Sequence, residues 1–308
     1  MSIRGSTSDI GEYATADVYS RRELKPRRRR GVGIDKIMLT LVVLYLLIPL
    51  GATLWFGLDT GKGVDFSIYQ KIFADPDFSG TIVTSLVLAF GTTILVVVLI
   101  TPTAYWVQLR IPRARPLLDF LSLVPFAMPA IVLAVGLVQE YSGTSGPLIS
   151  ILSLGLVPVL SNSLNIVNTP PLLICAYVVI ALPFVYRPID NSLRSINTTV
   201  LSEAAYSLGS GWWRAFLTVI LPNIWPGIIS AALLTFSTVM GEFTLATLFS
   251  IYTFPIFLNN VGQEDPHRAA SLAIVSFIFT LVCVLGIILL VRRRPGGTAG
   301  QVEIGAAK

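Results

Sequence analysis

The stretch TIVTSLVLAFGTTILVVVLITPTAYW, Thr81 to Trp106, runs for 26 residues without one charged side chain. About 20 apolar residues suffice for a helix to cross roughly 30 Å of hydrocarbon, so this run reads as a membrane span. Working outward, comparable runs lie at Ile37–Leu58, Leu117–Val138, Pro171–Tyr186, Trp225–Met240 and Ala269–Val291. Composition points the same way: 54% of the 308 residues are hydrophobic and 13% charged, with a mean hydropathy of +0.75. A soluble domain carries nearly twice that share of charge. The expected fold is an all-α integral membrane protein with six transmembrane helices.

The basic residues orient these spans. With both termini cytoplasmic, 19 of the 22 Lys and Arg residues fall on the inner side, as the positive-inside rule requires. The outer loops then hold Lys62, Lys71 and Arg268 beside Asp59, Asp65, Asp75, Asp77, Glu140, Glu242, Glu264 and Asp265. Two inner termini demand an even number of crossings, which favours six over five or seven. The chain accordingly divides into a basic N-terminal tail at 1–36, expected to be disordered, a six-span domain at 37–294 and a cytoplasmic tail at 295–308. The RRELKPRRRR run of the tail is accounted for by topology and anionic lipid headgroups, without nucleic acid. The first span follows a basic region, as in a signal peptide. Its apolar core is longer than the usual 7 to about 15 residues, however, and no small-residue cleavage pattern closes it, so it reads as an uncleaved anchor.

Two apolar segments are broken by Gly, Pro and Asn: GPLISILSLGLVPVLSNSLNIVNTPP (146–171) and GEFTLATLFSIYTFPIFLNNVGQEDP (241–266). Irregular backbone at membrane depth persists only where protein or a water-filled cavity satisfies it. These segments are therefore either outer lid helices packed on the bundle or the lining of a pathway. Pro125, Pro129 and Pro183 lie within spans, where each removes a helix hydrogen bond and introduces a kink. Cys175 and Cys283 sit in apolar runs as small hydrophobes, and the lone His267 has no neighbouring ligand in sequence, so no metal site is expected. No catalytic constellation is apparent either.

The segment LSEAAYSLGSGWWRAFLTVILP, Leu201 to Pro222, is unlike its surroundings. Thr198 is placed to cap a helix that ends at Gly209, the residue most at ease in the left-handed conformation. Ser210 is placed to cap a second helix leading to Leu221, and Pro222 opens the next element without an amide donor. Ala205, Leu208, Trp212, Phe216 and Val219 recur at helical spacing and predict one apolar side. The result is a cytoplasmic elbow over 198–222. It either rests in the lipid interface or docks a soluble partner, with Ala204, Ala205 and Gly209 kept small for close approach.

Glu203-Ala204-Ala205, three residues, Gly209, nine residues, Val219, one residue and Leu221-Pro222 resembles the EAA motif of the membrane permease subunits of ABC importers. Only Val219 departs, where the family usually has isoleucine. The likeness extends over about Ile37 to Arg294 and implies the type I importer permease fold, in the cell's inner (cytoplasmic) membrane. It implies that the elbow is a coupling helix seated in a groove of a cytoplasmic ATPase. Glu203 then supplies polar contact, Ala204 and Ala205 the close approach and Gly209 the bend, while Leu221 and Pro222 lead into span five. Leu208, Arg214 and Phe216 complete the coupling set. The implied partners are two ABC ATPase subunits, a second permease chain (homologous but different, or identical), an extracytoplasmic substrate-binding protein and membrane lipid. No segment matches G-x-x-x-x-G-K-[ST]; Gly57 to Lys62 comes nearest, one residue short. ATP and Mg are thus expected on the partner ATPases, with no cofactor on this chain and no enzymatic activity of its own.

The phrases TPTAYWVQLR, LVPFAMPAIVLAVGL, ALPFVYRPIDNSL and FSTVMGEFTLATLF resemble the spermidine/putrescine branch most, and its relatives for ferric iron, thiamine and phosphonates. Glu242, Glu140 and Tyr186 are candidate pathway residues for a cation, because ionisable groups near spans are costly and often functional, and aromatic faces attract cations. For both acids, an ordinary solvated carboxylate is the competing account. A stand-alone secondary transporter or channel would show inverted repeats or ionisable residues deep in several spans, and neither is evident. A membrane-embedded assembly factor would keep the elbow as a docking site but would not respond to substrate.

Overall fold

A computed structural model of the chain describes residues 34–59, 67–141 and 167–292. The basic tail before Ile34, Lys62, Asp65, most of the 146–171 segment and the C-terminal tail lie outside the described residues. The chain divides into a unit ending at Leu50 and another from Gly51 onward. In the first, helix α1 (Ile34–Leu58) begins; apolar residues such as Ile37, Val42, Tyr45 and Ile48 are exposed all around it, the pattern of a helix meant for hydrocarbon.

The second unit continues with α2 (Ser67–Phe73), α3 (Pro76–Arg110), α4 (Arg115–Ala127), α5 (Ala130–Tyr141), α6 (Pro170–Ser195), α7 (Thr198–Ser207), α8 (Trp212–Ala215), α9 (Leu221–Asn223), α10 (Trp225–Met240), α11 (Thr244–Leu248), α12 (Phe254–Glu264) and α13 (Pro266–Arg292). All regular structure among the described residues is helical, because in a bilayer each backbone donor must find its acceptor within its own segment. Among the described residues, four helices are long and apolar enough to cross a membrane, and two bent pairs raise the number to as many as six.

The expected single span Leu117–Val138 is broken. Met128 is extended (φ −104°, ψ 125°), as the residue before a proline prefers, and α4 and α5 meet at 95° across Met128-Pro129. Pro125 and Pro183, by contrast, stay inside their helices. Trp225–Met240 has the expected bounds, but its 16 residues join Trp212–Asn223 at 74°. The span expected to end at Tyr186 runs on to Ser195, since Arg187 points outward and the buried Asp190 is paired with Arg115 and Arg194. Helix α3 extends past both expected ends: Asp75 accepts the Asp77 amide at 3.0 Å as its cap, and Pro112 enforces its end at Ile111.

Helices α3, α6 and α10 pack on one another. Helix α6 lies at the centre, with 56% of its apolar window buried against 28% for α3 and 11% for α13. Its contact with α10 depends on Gly227: a Cβ there would lie 2.0 Å from the Ser192 hydroxyl and 2.8 Å from the Pro188 carbonyl. One core cluster gathers Leu88, Leu173, Tyr177, Phe236 and Phe249; a second, toward the elbow, gathers Tyr105, Ile189, Leu193, Phe216 and Ile220. The 241–266 segment folds as α11 and α12, whose Leu245, Phe254, Phe257 and Val261 are buried in the unit.

Candidate functional site

The elbow is built on a reversal at Asn197, which adopts φ 48°, a conformation Asn tolerates better than most residues. Helix α7 starts at Thr198, with Asn197 rather than Thr198 in the cap position. Thr198 does not cap it: its hydroxyl donates to the Leu193 carbonyl and thereby ties the elbow to the end of α6. At the other end Gly209 has φ 81°, with the Gly209 amide on the Tyr206 carbonyl (2.9 Å) and the Ser210 amide on that of Ala205 (3.0 Å). This is the paired closure of a helix that ends in a left-handed residue. Gly211, extended, rather than Ser210, precedes α8. Phe216–Ile220 then widens into a π-helical turn; Pro222 has no amide to donate and its ring crowds the preceding turn, which the wider turn accommodates.

The elbow is held from beneath by α3. The Ser202 hydroxyl spends its hydrogen on the Thr198 carbonyl at 2.7 Å, so Tyr105 is the donor in their 3.0 Å contact. The Tyr105 ring stacks on Phe216 at 5.2 Å and lies 5.4 Å from Trp212. Neither Tyr105 nor Ser202 was visible as a site residue in sequence, because their contact joins positions 97 apart.

Among the expected coupling residues, Glu203, Ala204, Leu208, Gly209, Arg214 and Pro222 are exposed, Leu221 is half-buried, and Ala205 and Phe216 are buried. Ala205 faces its own chain. Leu208 does not share the apolar side predicted for it: it is 87% exposed, and Trp213 (63%) and Leu217 (54%) are exposed with it. The elbow thus exposes the apolar Leu208, Trp213 and Leu217 and the charged Glu203 and Arg214, while Tyr105, Ala205, Phe216 and Ile220 are buried.

The pathway candidates do not converge. Both Glu242 carboxylate oxygens accept the Leu245 amide at 3.0 Å, and one accepts that of Ala246 at 3.3 Å. The Tyr177 hydroxyl donates to the same group. Burial pushes the Glu242 carboxyl up, and these donors draw it back in part. Glu242 is thus neither an ordinary solvated acid nor a free ligand; it caps α11. Tyr186 is buried on α6 beside Arg115, nine residues or about 13 Å along the helix from Tyr177. Glu140 is half-buried near the end of α5. Among the described residues no three His, Cys, Asp or Glu side chains converge to hold a metal ion.

Residues 100–294, which include the whole elbow, match the family described as binding-protein-dependent transport system inner membrane component. The chain is 34% identical over 226 residues to the spermidine/putrescine transport system permease protein PotB of Escherichia coli (strain K12), covering 70% of this chain and 78% of that one. It is 34% identical over 195 residues to the molybdenum transport system permease protein ModB of Azotobacter vinelandii, covering 63% and 76%. A solved bacterial ABC transporter involved in the import of the acidic polysaccharide alginate superposes with a TM-score of 0.67 at 16% identity, over 85% of this chain and 95% of that one. At that identity the fold is what the two share.

Proposed function

The chain belongs to the binding-protein-dependent transport system inner membrane components, the multi-pass permeases of ABC importers, and from that membership we propose that it couples a separate cytoplasmic ATPase to solute import. It crosses the membrane six times with both termini cytoplasmic, and the domain at 37–294 forms the pathway with a second permease chain. Two ATPase subunits carry the ATP and Mg, and an extracytoplasmic binding protein delivers the solute.

The observation that carries this reading is that the elbow combines exposed apolar and charged side chains with hydrogen bonds that tie it to two core helices. Leu208, Trp213 and Leu217 offer apolar contact, and Glu203 and Arg214 offer charge. A push on the elbow passes through the Thr198–Leu193 hydrogen bond into α6 and through Ser202–Tyr105 into α3, so movement of the partner reaches two core helices at once. The left-handed Gly209 keeps the bend between α7 and α8 short.

The proposed solute is a polyamine such as spermidine or putrescine, supported by the PotB relatives. An oxyanion is the second reading, since the ModB relative is equally identical over its matched length. A gentle-detergent pull-down of the chain from its native membrane, followed by mass spectrometry, tests the whole proposal. Recovery of an ATPase and a binding protein is expected, and the ligand profile of that binding protein decides between cation and oxyanion. Recovery of the chain alone, under conditions that preserve other membrane complexes, overturns the coupling role.

A further inference from the structure

Helix α4 is weakly held by apolar packing: Ser122 is its one buried residue, while Leu117, Phe120, Leu121 and Phe126 are exposed. Its apolar contacts are few, Leu118 against the second core cluster and Phe126 edge-on to Phe184 of α6, and an ion pair joins it to α6 beside them. Arg115, its first residue, donates from Nη2 to both Asp190 oxygens, at 2.8 and 2.9 Å, and Arg194 reaches Oδ2 from within α6 at 2.9 Å. Asp190 is buried, with 8% of its side chain exposed, and stands two turns before the reversal at Asn197 that starts the elbow. At the far end of α4 is the 95° break at Met128-Pro129.

A buried ion pair is a poor source of stability, because desolvation of both charges offsets most of their attraction; its best attested uses are register and switching. Two features favour the second use here. The Arg115 Nε is buried without a hydrogen-bond partner, so the guanidinium is incompletely satisfied in this geometry. A cavity of about 290 Å³ opens beside the pair, lined by Asp119, Asp190, Arg187, Asn191, Arg194 and Leu123. Asp119 lies four residues after Arg115 on the same helix face, within reach of its side chain.

We infer that Arg115 and Asp190 are positioning residues of the transport cycle: their ion pair ties α4 to the foot of the elbow, and it opens when the elbow moves, Arg115 passing to Asp119. The inference rests on the coupling role proposed above. While the tie is closed, α4 follows α6; once it opens, α4 pivots about Met128-Pro129.

The test uses the complete importer, chain with ATPase and binding protein, in native membrane vesicles. In a chain carrying Cys175→Ser and Cys283→Ser, the pair Leu123→Cys and Asn191→Cys, which lines the cavity from α4 and α6 and leaves Arg115 and Asp190 in place, is bridged with a short bifunctional methanethiosulfonate reagent, and the remaining thiols are counted by maleimide gel shift. Bridging is expected without nucleotide and at least fivefold lower after ATP with vanadate; equal bridging in both conditions overturns the inference. Independently, Arg115→Gln, which leaves Asp190 paired with Arg194, is expected to lower uptake at least tenfold per ATP hydrolysed, with radiolabelled spermidine and molybdate as the two probes. Arg115→Lys is expected to recover at least half of that ratio. A parallel fall in hydrolysis and uptake marks a purely structural contact and also overturns it. A wild-type chain that recruits no ATPase defeats the coupling role itself, whereas coupled wild-type transport with nucleotide-independent bridging defeats only this inference.

Discussion

The two bent joints of the molecule differ in what surrounds them. At the first, between α4 and α5, Ser122 and Ala134 are the buried residues of the flanking helices, and Phe126 touches α6 edge-on at Phe184, 5.4 Å away. At the second, between α9 and α10, Ile220, Ile224, Gly227, Ile228 and Ala231 are all buried, and the backbone of α6 approaches to within a missing methyl group. Proline stands at both breaks, so proline alone sets neither stiffness. A bend packed on the core transmits displacement, and a bend with few packed neighbours can pivot. The contrast between the joints is one of packing, dense at the elbow joint and sparse at the α4–α5 joint.

The largest expected effect comes from breaking the packed joint. Gly227→Val places atoms where Ser192 and the Pro188 carbonyl now sit; overpacking of this kind costs about 1–3 kcal/mol or more, and the chain should lose most of its membrane accumulation on quantitative immunoblots. Next is Gly209→Leu. A Cβ there meets nothing within 4 Å in this chain, but φ is +81°, which costs an L-residue roughly 1–2 kcal/mol. Accumulation should be near normal while uptake falls at least tenfold in vesicle assays. Tyr105→Phe keeps the ring contacts and removes the hydroxyl donated to Ser202, a loss of about 1 kcal/mol; uptake should fall two- to fivefold at unchanged accumulation. The smallest effect sharpens the comparison from the other side. Gly136→Ala, in α5, has open space for its methyl group and gains helix propensity of roughly 0.5–1 kcal/mol, so thermal unfolding in detergent should be unchanged or slightly delayed.

Much of the elbow was legible in sequence because its signals are local. Gly209 ends a helix for reasons contained in its own backbone, and the spacing from Glu203 to Pro222 survives in the structure as α7, a bend, α8 and a π turn. The misplacements share a different cause. Helical periodicity put Leu208 with Phe216 on one side, but the reversal at Gly209 separates the two, and Leu208 points outward. Thr198 and Ser210 had the right residue types for caps, yet Thr198 found a better acceptor in Leu193, and Gly211 took the extended position before α8. Glu242 looked solvated because it follows a span directly; the amides that bind it belong to a helix too short to stand out in hydropathy.

Apolar run length, the asymmetry of Lys and Arg and the spacing of one motif are all properties of neighbouring residues, so a helical, membrane-embedded permease of the ABC importer family can be read without knowing how the helices pack. Only packing between distant segments sets which helix is central, that Tyr105 supports the elbow and that Asp190 is paired across to Arg115. Those outcomes depend on contacts between positions 75 to 97 residues apart, where free energy is gained only once distant segments have met and no local pattern records the meeting.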